Sequence, residues 1–193
     1  MRIAVIGSSG AGKTTLARRI GAALSIPVIE LDAINWQPGW RALFEDDPDE
    51  FVRRVEAATA GPDWVSDGNY RLAMPVLLRR VTDLIWLDYG RARTMTQVIW
   101  RSASRAFSQD ELWPGTGNRE DFRRWLDKEH PIRWAWDTLE GRRRRYAQLF
   151  ADPRLAHIAK HRPRRPREAD GLIAGWAARS APASLGGGGS VNG

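Results

Sequence analysis

Eight consecutive residues near the amino terminus carry the most specific chemistry in the chain: Gly7-Ser8-Ser9-Gly10-Ala11-Gly12-Lys13-Thr14. They fill the pattern G-x-x-x-x-G-K-[ST] without a gap, after an apolar strand-like run and before a helical one. Glycines let the backbone turn tightly and aim amide N–H groups inward without a Cβ in the way. Those amides and the start of the following helix make an anion site suited to a β-phosphate. Lys13 adds a mobile point charge that reaches β- and γ-phosphates, and the Thr14 hydroxyl is a hard oxygen ligand for Mg²⁺. Ser8, Ser9 and Thr15 can assist, though each equally suits a loop or a cap. The motif predicts a nucleoside triphosphate, ATP, bound together with Mg²⁺.

Two aspartates follow predicted strands. Asp67 closes Trp64-Val65-Ser66-Asp67 and is followed by Gly68-Asn69-Tyr70-Arg71. An acidic residue at the carboxyl end of a parallel strand faces the ligand crevice of such sheets, where it can hold a water on Mg²⁺. Arg71 would then face a phosphate. Asp32, after Pro27–Leu31, would lie at the same edge and accept a hydrogen bond from an acceptor hydroxyl. Both positions also suit turn or N-cap aspartates. Asp88 ends Asp83-Leu84-Ile85-Trp86-Leu87-Asp88 and competes with Asp67 for the metal; it ranks second because its strand is expected on the far side of the P-loop strand. Trp36 and Trp40 flank Pro38-Gly39 beside Asp32, either as a stacking wall for an acceptor or as core. With ten tryptophans in the chain, most are expected to serve the core or helix–helix packing.

The elements that must position these residues read as strands at 2–6, 27–31, 64–66, 83–87 and 155–159. Helices are expected at 13–24, 47–59, 71–81 (kinked or delayed by Pro75), 91–107, 120–150 with breaks near Pro131 and Gly141, and 166–179. Segment 32–44 reads as a loop or broken segment, and 108–118 as a mobile loop. Alternating strands and helices predict a parallel sheet covered on both faces. One domain, 1–179, accounts for all of this. The tail from 180 to 193 is low-complexity, its GGGGS resembles a linker, and it is expected to be disordered.

Composition narrows the chemistry. The 193 residues contain no cysteine, which excludes disulfides, thiolate catalysis and cysteine-bound zinc. His157 and His161 are four apart, but their surroundings read as a strand, where the pair would not form a site. The amino terminus lacks the pattern of a secretory signal, no apolar run is long enough to span a membrane, and a cytoplasmic location is expected. The formal net charge is +7, concentrated in 142–145 and 161–167. Such runs suit phosphates or nucleic acid, and equally a solvated helix face and loop.

Taken together, Gly7–Thr14 and Asp67-Gly68-Asn69-Tyr70-Arg71 resemble the adenylate-kinase-like branch of P-loop kinases; the latter is similar to the Asp-Gly-Phe-Pro-Arg segment of adenylate kinases. LDAINWQPGW, WVSDGNYR and DLIWLD resemble more closely the small bacterial topology modulation proteins, over roughly residues 1–179. The resemblance implies a P-loop NTPase three-layer α/β sandwich, nucleotide-kinase-like, with a five-stranded parallel sheet and the P-loop strand central. It implies a helical lid, at about 101–124, whose arginines close over the phosphates: Arg101 and Arg105, then Arg119 and Arg123. It also sets Arg162 against the adenine. Segment 32–60 departs from the AMP-binding helix of adenylate kinases, which leaves the acceptor open among nucleosides, nucleotides and other small hydroxyl compounds. The reading that follows is transfer of the ATP γ-phosphoryl to a small-molecule acceptor. Its rival is a nucleotide-switched protein that grips RNA or DNA with its basic runs.

Overall fold

The computed structural model describes residues 1–108, 116–117 and 131–180. Five strands form one parallel sheet in the order β2-β5-β1-β6-β7: β2 (Val28–Glu30), β5 (Trp64–Asp67), β1 (Arg2–Gly7), β6 (Asp83–Leu87) and β7 (Ala159–His161). The P-loop strand is central, with β5 and β6 on opposite sides of it, as the sequence predicts. Register fixes the edge that matters: Val5 pairs with Asp67, Gly7 with Leu87, and Glu30 with Asp67.

Strand β1 shows why the sheet needs cover on both faces. Ala4 and Ile6 point into one apolar cluster, with Phe51 and Val55 of α4 (Pro48–Ala58), Leu77 of α5 (Ala73–Leu78) and Tyr146 of α7 (Pro131–Ala151). Ile3 and Val5 point into the other, with Leu16 and Ile20 of α1 (Lys13–Leu24) and Trp176 of α8 (Pro166–Ser180). All four β1 side chains are fully buried. This period-two alternation on one strand is what a three-layer sandwich requires.

Several boundaries follow local chemistry. Asp47 caps α4 by accepting from the Glu50 amide, and Pro48 follows where a missing N–H costs nothing. Pro75 falls in the first turn of α5, so that helix starts late rather than kinking. Helix α6 (Arg91–Ser108) matches its expected extent. Within the described residues helix α7 runs from Pro131 through Gly141 without a break, and the earlier part of the expected 120–150 helix lies outside them.

Segment 32–44, expected as a loop or broken segment, is broken into short elements: α2 (Leu31–Asn35), a two-stranded ribbon of β3 (Trp36–Gln37) and β4 (Arg41–Ala42), and α3 (Leu43–Asp46). The turn between the strands is 3-10, with Gly39 at φ 72° and Trp40 at φ 61°. Pro38-Gly39 marks a tight turn rather than an open stretch. The fifth strand lies at 159–161, later than expected, because Asp152 caps a 3-10 turn over Pro153–Leu155 and delays it. The side chains of three of the ten tryptophans, Trp113, Trp125 and Trp134, lie outside the described residues. Trp64, Trp86 and Trp176 are buried, whereas Trp40, Trp100 and Trp136 are 44%, 76% and 53% exposed. Trp136 instead lies under the Arg91 guanidinium, 3.5 Å from its ring centre, joining α7 to α6. The tail from 181 to 193, Arg119, Arg123 and most of the expected lid lie outside the described residues.

Candidate active site

The turn from β1 into α1 is built for close approach of a ligand. Gly12, at φ 87°, precedes the helix, and a Cβ there would meet nothing within 4 Å. The Ala11 amide donates to the Ser8 carbonyl (3.1 Å), closing the loop on itself. Lys13 reaches back over it, its ammonium donating to the Ser8 carbonyl at 3.2 Å. Gly10, at φ 76°, is pressed against α6: a Cβ would run into the Val98 side chain and lie 2.8 Å from the Thr94 carbonyl. Gly10→Ala therefore adds backbone strain to overpacking. It is expected to cost about 1–3 kcal/mol, read as a lowered melting temperature.

Thr14 and Asp67 meet. The Thr14 hydroxyl, in the first turn of α1, donates to Asp67 Oδ2 at the end of β5. Asp67 is buried, and loss of solvent pushes its carboxyl up to about 6; the Thr14 hydrogen bond and the nearby Lys13 charge oppose the rise. Asp32 and Glu30 raise it further. A buried carboxylate beside a hydroxyl, at the mouth of an anion loop, is a hard-oxygen donor set that a divalent cation would relieve. The residues present therefore fit Mg²⁺.

Asp32 lies one strand further out, exposed, in the first turn of α2. Its Oδ1 accepts from the Tyr70 hydroxyl at 2.7 Å. Asp67-Gly68-Asn69-Tyr70 is thus a junction: Asp67 bonds α1, Tyr70 bonds α2, and the Asn69 amide donates to the hydroxyl of Tyr146 on α7. Gly68 makes the junction possible. At φ 123° it presses against Leu31, where a Cβ would approach to 2.8 Å.

Asp88, just past β6, is engaged otherwise. Its side chain is 1% exposed. Oδ1 accepts from Arg143 Nε at 2.8 Å, and Oδ2 from Arg162 Nη2 at 2.8 Å and Nε at 3.1 Å. Arg162 also stacks on Trp86, its guanidinium carbon 4.0 Å from the ring centre. With both oxygens held by guanidinium groups, Asp88 is a clamp tying α7 and the segment after β7 to the sheet. Asp88→Ala leaves both arginines, each partly solvated, without this partner. A loss of about 1–3 kcal/mol is expected in chemical denaturation.

The remaining predicted residues are less connected. Arg71 is exposed and makes no hydrogen bond or ion pair with a described residue. Trp36 and Trp40 pack edge to face, ring centres 5.6 Å apart, on the ribbon beside Asp32. Arg101 and Arg105 are on the helical backbone of α6, and their side chains lie outside what is described. His161 donates to or accepts from Asp83 at 2.9 Å, while His157 is exposed. Tyr70, Asn69, Tyr146 and Arg143 were not singled out by sequence reasoning. Asn69 and Tyr70 replace Phe-Pro in the compared segment, and that substitution of polar groups was the available signal.

No family model matches this chain, and no curated protein is similar to it. Solved structures are. The shikimate kinase of Bacteroides thetaiotaomicron aligns with a TM-score of 0.55 at 12% identity, covering 93% of this chain and 97% of that one. The shikimate kinase of Acinetobacter baumannii, in complex with shikimate, aligns with 0.53 at 17% identity, over 91% and 89%. The deoxyadenosine kinase of M. mycoides, with products dCMP and a flexible dCDP bound, aligns with 0.51 at 10% identity, over 93% and 100%. At these identities the likeness is one of fold: the chain has the α/β fold of the P-loop kinases.

Proposed function

We propose that this chain is a P-loop phosphotransferase that moves the γ-phosphoryl of ATP to a hydroxyl of a small molecule. The observation that carries the reading is the convergence, on one sheet edge, of Lys13, the Thr14–Asp67 pair and Asp32. The amides of 7–12 and the start of α1 would hold the β-phosphate, with Ser8, Ser9 and Thr15 assisting. Thr14 directly, and Asp67 through a water, would hold Mg²⁺, which when bound neutralises charge on the β- and γ-phosphate oxygens. Lys13 would leave the Ser8 carbonyl for the γ-phosphate.

Asp32 would orient the acceptor. The acceptor oxygen bonds to the γ-phosphorus as the bond to the β–γ bridging oxygen breaks, ADP leaves, and the hydroxyl proton passes to Asp32 and then to solvent. Arg101 and Arg105 would supply lid charge, Arg71 a phosphate contact, and Trp36 and Trp40 a wall for the acceptor. Arg162 would border the adenine from its place on Trp86. The motifs shared with topology modulation proteins make that family the finer reading. The shikimate and deoxyadenosine kinase neighbours favour a small acceptor over a nucleic acid. Among the described residues no helix is long and apolar enough to cross a membrane; a cytoplasmic location belongs to this proposal.

The test is transfer of label from [γ-³²P]ATP with Mg²⁺ to a panel of shikimate, gluconate, deoxyadenosine, AMP, an aminoglycoside and an RNA 5′ end. A labelled small molecule supports the reading. Label on RNA alone would move the protein to the nucleic-acid class, and failure to bind ATP in calorimetry would end the reading.

A further inference from the structure

The acceptor edge contains a hydrogen bond that the mechanism above does not use. The Tyr70 hydroxyl donates to Asp32 Oδ1 at 2.7 Å. A carboxylate only accepts, so the proton of this bond is the phenol's. Asn35, at the end of α2, is 2% exposed, and its Oδ1 accepts from the Phe44 amide at 2.8 Å, tying the helix that carries Asp32 to the segment that carries Phe44.

The ring that carries this hydroxyl is held independently. Phe44 and Phe51 pack on it at 5.5 and 5.1 Å between ring centres. Burial and the adjacent Asp32 charge raise the phenol well above its ordinary range, so it stays a donor at any working pH. Among the described residues, Asp32 Oδ2 accepts no hydrogen bond. One carboxylate oxygen is therefore fixed by the protein and the other is left for a ligand.

From this geometry we propose that Tyr70 is a positioning residue for phosphoryl transfer: with its ring held by Phe44 and Phe51, its hydroxyl holds Asp32 Oδ1 and presents Oδ2 to the incoming hydroxyl. The proposal rests on the role given to Asp32 above. Its physical logic suits a loose transition state. Such a reaction needs an oriented nucleophile more than a strong base, and a carboxylate that accepts a fixed hydrogen bond gains orientation while losing basicity.

Tyr70→Phe keeps the ring and its packing and removes only the hydroxyl. One measurement on the full chain decides the matter without a known acceptor: the steady-state kinetics of Mg²⁺-ATP hydrolysis with water as the acceptor. Tyr70→Phe should lower kcat about tenfold with KM for ATP unchanged, Asp32→Asn should lower it about 10²-fold, and the double variant should match Asp32→Asn alone.

An unchanged rate overturns the proposal, as does a double variant slower than Asp32→Asn. If Asp32→Asn is slow while Tyr70→Phe behaves as wild type, only the Tyr70 role falls. If Asp32→Asn itself turns over normally, the reading of Asp32 falls with it.

Discussion

Lys13→Ala is expected to fold normally and to lose about 10³-fold in kcat for phosphoryl transfer. Lys13 is partly exposed at the mouth of the loop, and its ammonium's hydrogen bond to the Ser8 carbonyl is a short-range contact within that loop. Removing it costs little stability, on the scale of a single exposed hydrogen bond, about 1 kcal/mol or less. Its function is of another size. A preorganised charge aimed at the transferring group is worth about 3–4 kcal/mol in the transition state, which converts to the stated loss. Circular dichroism and a melt establish folding, and label transfer from [γ-³²P]ATP reads the rate. A folded Lys13→Ala protein with wild-type turnover would falsify the assignment of the loop.

The parts of this molecule that a sequence displays well are those governed by short-range rules. The loop from Gly7 to Thr14 is legible because phosphate cradling demands fixed residue types at fixed offsets. Strand β1 is legible because four apolar residues in a row, Ile3 to Ile6, leave no other reading beside that loop. Asp67 and Asp32 are legible as strand-end aspartates. The company they keep is not. Thr14 and Asp67 are 53 positions apart, and only the β1–β5 register brings them together. Asn69 and Tyr146 are 77 apart, on elements whose packing no local pattern announces. Asp88 looks like a metal ligand in sequence; it is the arginines of α7 and of the segment after β7, 55 and 74 positions later, that take its oxygens. Segment 32–44 reads only as a loop or broken segment, with no element assigned, for a related reason. Its elements are two to five residues long, too short to show a period, and are held by Asn35 and the aromatic ring of Tyr70 rather than by propensity.

Asp67→Asn is expected to separate stability from chemistry in opposite directions. In the folded protein the Asp67 carboxyl titrates at about 6, above its ordinary 3.8. Between those pH values the folded chain holds a proton that the unfolded chain has released. Stability contributed by this group is therefore full below about pH 4 and is lost as pH rises to about 6. At 1.36 kcal/mol per unit the loss is at most about 3 kcal/mol. Asparagine cannot ionise and can still accept the Thr14 hydrogen bond. Without Mg²⁺, Asp67→Asn should thus lack this downward slope and be at least as stable as wild type at pH 7.5. With Mg²⁺-ATP the order reverses. The ionised carboxylate is the form that supports the cation, so nucleotide affinity in wild type should weaken, by up to about tenfold per unit, as pH falls below about 6. The variant should bind more weakly at pH 7.5 and lack that dependence; subtracting the two profiles cancels the protonation of the nucleotide itself. Turnover should fall about 10³-fold, as for loss of other preorganised electrostatic groups. Calorimetric titrations at pH 5.0, 6.0 and 7.5, beside melts without metal, give both quantities. If Asp67 were only a turn cap, Asp67→Asn would leave turnover intact, and a difference profile flat across pH 6 would remove Asp67 from the metal site.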